Sequence, residues 1–134
     1  MKIHHIGIVA RDIEVALDAL CLDQGDILEK VRDDNQKNDL YFLKSSKSEV
    51  VIEIVVPLGT NSSTYNFMNR FQFGLHHLAL RTDSIERSID EHISRIGHFP
   101  LGSYEIEVKT FGGKVRTAFI NAKGLLIEYV QNDG

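Results

Sequence analysis

The sequence predicts an α+β fold built from two βαβββ units, and three observations predict it. The chain carries an internal repeat, the hydrophobic periodicity changes in the same order within each copy, and a glutamate stands at the centre of an apolar strand in both. Displacing the chain by 72 residues sets His4-His5-Ile6-Gly7-Ile8 on His76-His77-Leu78-Ala79-Leu80. The register continues through Ile13-Glu14 on Ile85-Glu86, Asp18 on Asp90 and Gly25 on Gly97. A second echo, at 75 residues, sets Val51-Ile52-Glu53-Ile54 on Leu126-Ile127-Glu128-Tyr129, so a short insertion separates the matched segments. The 134 residues make one ordinary domain, with a first module at about 1–56, a linker at 57–74 and a second module at about 75–134.

The first module opens with a strand at 3–10. Asp12 then offers an N-cap, Ile13, Ala16, Leu17 and Leu20 form an apolar stripe at helical spacing, and Gly25 is the expected stop. Strands follow near 26–32, 39–45 and 49–56, divided by the polar stretches Asp33-Asp34-Asn35-Gln36 and Ser45-Ser46-Lys47-Ser48. The second module reads as a strand at 75–82, a helix at about 84–96 capped by Ser84, and strands near 103–109, 114–121 and 124–131. Within the linker, Ser63 is placed to cap a short helix carrying Tyr65, Phe67 and Met68. Gly112-Gly113 reads as a hairpin turn.

Hydrophobic residues make up 43% and charged residues 25%, the proportions of a water-soluble globular chain. No apolar run exceeds seven residues, which argues against a membrane span, and the start lacks the apolar region of a secretory leader. Cys21 is the single cysteine, which excludes an internal disulfide and fits a reducing cytoplasm. A net charge of −4 with no basic stripe argues against nucleic acid as a partner.

Chemistry is read from Glu53 and Glu128. Each sits in a run apolar enough to be covered on both faces, Val50–Val56 and Leu125–Val130. An unpaired ionised carboxylate there would be disfavoured by several kcal/mol, roughly, so each needs a cation, a hydrogen-bond network or water. His5 and His77 complete the set. Strand alternation puts His5 on one face with Gly7 and His77 on one face with Ala79, and these small neighbours leave room beside each imidazole. Two imidazoles and two carboxylates form a mixed N/O donor set suited to one divalent Zn, Co, Ni, Fe or Mn ion. The same alternation turns His4 and His76 to the opposite face, where they read as residues that back the ligands or lie at the surface. His92 and His98 read as solvent-exposed, and Lys109, Lys114 and Arg116 as solvated cations with a possible role toward an anionic substrate.

These segments resemble the paired βαβββ modules of the vicinal oxygen chelate superfamily, which includes glyoxalases, bleomycin-resistance proteins and extradiol dioxygenases. Within it the sequence is most similar to methylmalonyl-CoA epimerases, through HHIGIVARDIE at the start, IEIVVPLG at 52–59, GLHHLALRTDSIE at 74–86, GGKVRTAF at 112–119 and LLIEYV at 125–130. The resemblance implies a cupped eight-stranded mixed sheet around a metal site. It also implies ligands His5, Glu53, His77 and Glu128, a homodimer, and a small-molecule substrate such as an acyl-CoA or related carboxylic acid. By the same resemblance the chemistry is isomerase-type, a metal-stabilised enolate with Glu128 or Glu53 as the base. Glyoxalase I-type lactoylglutathione lyases share the ligand order, although the 24 positions from Glu53 to His77 look more like the epimerases. A non-catalytic resistance-type binding protein is the third reading. One departure stands out: epimerases place a non-ligand carboxylate on the third strand, where this sequence has Leu40, with Asp39 one residue away.

Overall fold

The computed structural model describes residues 2–44, 49–96 and 100–132; Gly97, His98 and the polar stretch at 45–48 lie outside them. The strands are β1 (Lys2–Ala10), β2 (Ile27–Asp33), β3 (Asn38–Leu43), β4 (Val51–Pro57), β5 (Phe73–Arg81), β6 (Pro100–Val108), β7 (Gly113–Ala122) and β8 (Leu125–Asn132). The helices are α1 (Ile13–Leu20), α2 (Tyr65–Phe71) and α3 (Ile85–Ile96). The βαβββ order therefore occurs twice, with α2 in the linker, and the strands bond in the order β2-β3-β4-β1-β5-β8-β7-β6 as one mixed sheet. The chain divides into two compact units, Ile6–His76 and Met1–His5 with His77–Gly134, so the first five residues group with the second half.

In the unit Ile6–His76, Asp12 caps α1 as expected, its carboxylate accepting the Val15 N–H at 2.9 Å. The stripe Ile13, Ala16, Leu17 and Leu20 packs on Ile8, Ala10, Leu43 and Ile54. The helix stops earlier than Gly25. Cys21 adopts the left-handed conformation at φ 56°, and the N–H groups of Cys21 and Leu22 bond back to Asp18 and Leu17 in a Schellman arrangement. Leu22 packs against the α1 core, and its burial sets the stop; Gly25 instead lies inside a 3-10 turn at Gln24–Asp26. Asp33 closes the β2–β3 turn by accepting the N–H groups of Asn35 and Gln36.

The linker helix is not capped by Ser63. Ser63 donates both its N–H and its hydroxyl to Gln36, while the neighbouring hydroxyls of Ser62 and Thr64 donate to the buried Asn38 carboxamide oxygen. Asn38 thus selects the flanking residues, and Thr64 becomes the terminal residue of α2. In β3 and β4, Tyr41, Leu43, Ile52, Ile54 and Val56 face α1. Strand parity then places Leu40, Phe42, Glu53 and Val55 on the opposite face, with Phe42 directly across from Glu53.

In the other unit, Ser84 caps α3 by accepting the Arg87 N–H. β5 runs parallel to β8 with Ala79 opposite Glu128, and β7 runs antiparallel to β8 with Phe119 opposite Glu128. Leu78, Leu80, Ala118, Ile120, Ile127 and Tyr129 pack under α3. Ala79, Val115 and Val130 form a second cluster with Ile106 and Phe111. Parity puts His77, Thr117, Phe119 and Glu128 on the face of this second cluster, away from α3. The β6–β7 connection passes through a 3-10 turn at Lys109–Phe111 into Gly112 and Gly113, both at positive φ, which fulfils the glycine-turn reading.

A non-glycine residue in the left-handed region costs roughly 1–2 kcal/mol before the entropy gained by a glycine in the unfolded chain is set against it. Cys21→Gly should therefore stabilise the protein by about 0.5–1 kcal/mol. A higher urea midpoint at unchanged slope would show it, whereas a lower midpoint would assign the exposed Cys21 side chain a packing role.

Candidate metal centre

Three side chains from distant parts of the sequence meet inside the unit formed by Met1–His5 and His77–Gly134. His5 Nε2 lies 3.0 Å from Glu128 Oε1, His77 Nε2 lies 3.1 Å from the same oxygen, and the two nitrogens are 3.2 Å apart. All three side chains are buried, at 2%, 6% and 6% exposure for His5, His77 and Glu128. β5 and β8 place His77 and Glu128 on adjacent strands of one face, and Lys2–His5 of β1 brings in the third member.

The triangle fits a shared cation better than it fits mutual hydrogen bonding. Glu128 Oε1 is buried and accepts no aligned hydrogen bond despite two imidazole nitrogens within 3.1 Å. Leaving such an acceptor unsatisfied costs roughly 1–3 kcal/mol. Donors at about 2.1 Å from one metal lie about 3.0 Å apart at octahedral and about 3.4 Å apart at tetrahedral angles. The observed edges lie within that range. The other Glu128 oxygen is held by the Thr117 hydroxyl, which donates to Oε2 from β7 and leaves Oε1 for the imidazoles.

Burial alone would raise the Glu128 carboxyl. The charges of His5 and His77 and their approach to Oε1 outweigh it, and the group is held well below the ordinary carboxylate range.

Glu53 lies in the unit Ile6–His76, buried at 6% exposure in β4 across from Phe42 and on the face away from α1. Asp39 is on the other face. It accepts from Arg32 at 2.6 Å and pairs with Lys30 at 3.8 Å, so the β3 residues sharing Glu53's face are Asn38, Leu40 and Phe42.

His4 lies behind His5 on β1 and is half-buried. Its Nδ1 lies 2.8 Å from His5 Nδ1, and the Phe111 ring packs edge-on against it at 4.2 Å while stacking on His5 at 5.4 Å. Packing by Phe111 on both imidazoles holds them together. Burial, reinforced by His5, lowers the His4 imidazole to about 4. His76 meets the Phe67 ring at 5.1 Å. His92 is half-buried edge-on to Tyr129 rather than free in solvent. Arg116 pairs with Glu86 at 2.7 Å, while Lys114 remains an exposed cation 3.6 Å from the exposed Glu105. Thr117 and Phe111 were not singled out in the sequence. The only signal for Thr117 was its even spacing within β7, and none marked Phe111.

The profile of the glyoxalase/bleomycin resistance protein/dioxygenase superfamily matches residues 4–96. No functionally curated protein matches the sequence. Among solved structures, methylmalonyl-CoA epimerase from Mycobacterium tuberculosis superposes with a TM-score of 0.79 at 22% identity, over 98% of this chain and 88% of that one. A hypothetical protein from Bacillus halodurans gives 0.76 at 26% identity, over 99% and 95%. A variant of Streptomyces coelicolor methylmalonyl-CoA epimerase in complex with 2-nitronate-propionyl-CoA gives 0.78 at 19% identity, over 100% and 99%.

Untagged protein should carry one equivalent of divalent metal per chain, or take it up from Zn, Co, Ni, Mn or Fe. Elemental analysis checks this, and protein that binds none of the five would refute it. The metal-free protein should also be acid-sensitive. Because the Glu128 carboxyl is lowered in the fold, the native state binds fewer protons than the unfolded chain below the ordinary value of 4.5. Its stabilisation is complete above that pH and is lost as the pH falls through the folded value. Glu128→Gln should flatten this acid limb, read as unfolding free energy from pH 7 down to about pH 3.

Proposed function

The chain belongs to the glyoxalase/bleomycin resistance protein/dioxygenase superfamily, and from that membership and its centre we propose a metal-dependent isomerase of the epimerase type. Its substrate is an acyl-CoA or a related carboxylic acid. The observation that carries this reading is the convergence of His5, His77 and Glu128 on one small volume, with an acceptor that protein groups leave unsatisfied. Glu53 is the fourth donor, a role supported by its burial in an apolar strand and its place in the repeat. A homodimer, implied by the sequence resemblance, belongs to the same reading. Among the described residues no helix is long and apolar enough to cross a membrane.

When bound, the divalent ion supplies Lewis-acid polarisation of a substrate carbonyl, which favours loss of the α-proton. His5 and His77 hold it as neutral imidazoles. Glu128 serves as the proton acceptor, and the Thr117 hydroxyl fixes the orientation of its carboxylate.

A second reading rests on β3. The residues sharing Glu53's face there are Asn38, Leu40 and Phe42, which supply no second carboxylate base. That favours chemistry with one proton-transferring group, as in glyoxalase I-type lyases, or one-sided exchange. Incubation with methylmalonyl-CoA in deuterated water should place deuterium on the α-carbon, slowly or from one stereoisomer. Glu128→Gln should reduce the rate by about a hundredfold or more. Turnover of methylglyoxal with a thiol, without exchange into the acyl-CoA, would select the lyase. Neither activity, with a ligand-dependent rise in melting temperature, would select a binding protein.

A further inference from the structure

We infer that His4 is a positioning residue that fixes the tautomer of His5 and so leaves His5 Nε2 bare to bind the metal. The inference rests on the metal-centre reading above. Its geometry is the 2.8 Å approach of His4 Nδ1 to His5 Nδ1, opposite to the Nε2 that faces His77 and Glu128.

A nitrogen–nitrogen contact this short requires one proton between the two rings. If His4 donates it, His5 Nδ1 is the acceptor and His5, when neutral, carries its own proton on Nε2, pointing into the centre. If His5 donates it, the His5 Nε2 lone pair is free and His4 carries its remaining proton on its own Nε2. Only the second arrangement gives a neutral ligand. Donation of the outer imidazole N–H to a neighbouring acceptor is the general device by which a ligating histidine is oriented, and the acceptor is commonly a carboxylate or a carbonyl. Here it is a second imidazole, adjacent in sequence.

Packing makes His4 a fixed acceptor rather than a passing neighbour. Phe111 lies edge-on to the His4 ring at 4.2 Å and stacked on the His5 ring at 5.4 Å, inclined by 15°. The two imidazoles stand at 73° to one another, so the His5 N–H points into the edge of His4 rather than its face. Phe111 is itself tied down, its carbonyl accepting the Asn132 side-chain amide at 3.1 Å, and Asn132 ends the strand that carries Glu128.

The test compares the wild-type chain with His4→Gln, which keeps an acceptor oxygen, and His4→Phe, which keeps a ring and removes it. Zinc affinity is measured by competition with a chelating dye, and ring protonation by long-range nitrogen–proton correlation spectra of the zinc-loaded protein. The expected spectrum shows His5 protonated on Nδ1 and His4 on Nε2. His4→Phe should weaken zinc binding by about 10–100-fold, and His4→Gln should recover most of that loss. A purely structural role would lower the melting temperature of both metal-free variants without this split. Equal zinc affinity in wild type and His4→Phe, or a His4 ring protonated on Nδ1 in the loaded protein, would overturn the inference alone. A wild-type chain that takes up no metal would overturn the metal-centre reading and this inference with it.

Discussion

A buried carboxylate shared by two imidazoles organises this protein. Glu128 Oε1 sits 3.0 and 3.1 Å from the Nε2 atoms of His5 and His77, and all three side chains are buried. Every strand contributing to that meeting must keep its register, because a slip of one residue would turn its side chain to the opposite face and leave a polar group among side chains that pack helices. The pairing of Ala79 and Phe119 with Glu128 is therefore both a packing constraint and a chemical one. Thr117 shows how far this extends. From the neighbouring strand it holds the second oxygen of Glu128, so that the carboxylate presents one oxygen to the imidazoles.

Much of this was legible in the sequence because strands and helices advertise themselves by period. The duplicated His-His and the duplicated strand-centre glutamate singled out His5, His77 and Glu128, which the structure brings within 3.2 Å of one another. α1 and α3 began at Asp12 and Ser84, the residues that offered caps. What period could not supply was decided by tertiary packing. Leu22 seeks the core, so α1 ends at Cys21 and not at Gly25. Asn38, distant in sequence, recruits Ser62 and Thr64 and displaces Ser63 from the start of α2.

The histidines divide along the same line. His5 and His77 follow strand parity, and His4 still meets its neighbour His5 because Phe111 packs on both imidazoles of β1. Phe111 arrives from a turn a hundred residues downstream, and no local signal ties it to the first strand. Asp39 shows the reverse. It stands beside Leu40 in sequence, but parity commits it to the α1 side, where Arg32 neutralises it. One position in a strand separates a potential base from a carboxylate committed to Arg32.

The grouping of Met1–His5 with His77–Gly134 bears on how the protein is made. His5 lies far ahead of Glu128 in the sequence, so a ribosome releases the imidazole long before the carboxylate beside which it will lie. The segment Ile6–His76 holds its own core around α1 and has what it needs to collapse while synthesis continues. The opening residues of β1 must wait for β5 and, through it, for a parallel pairing with β8, the slowest kind of strand association because it closes the longest loops. The meeting of His5, His77 and Glu128 is thus a late event of folding. A nascent chain that has passed the first half without error still lacks this meeting of side chains until β8 pairs with β5.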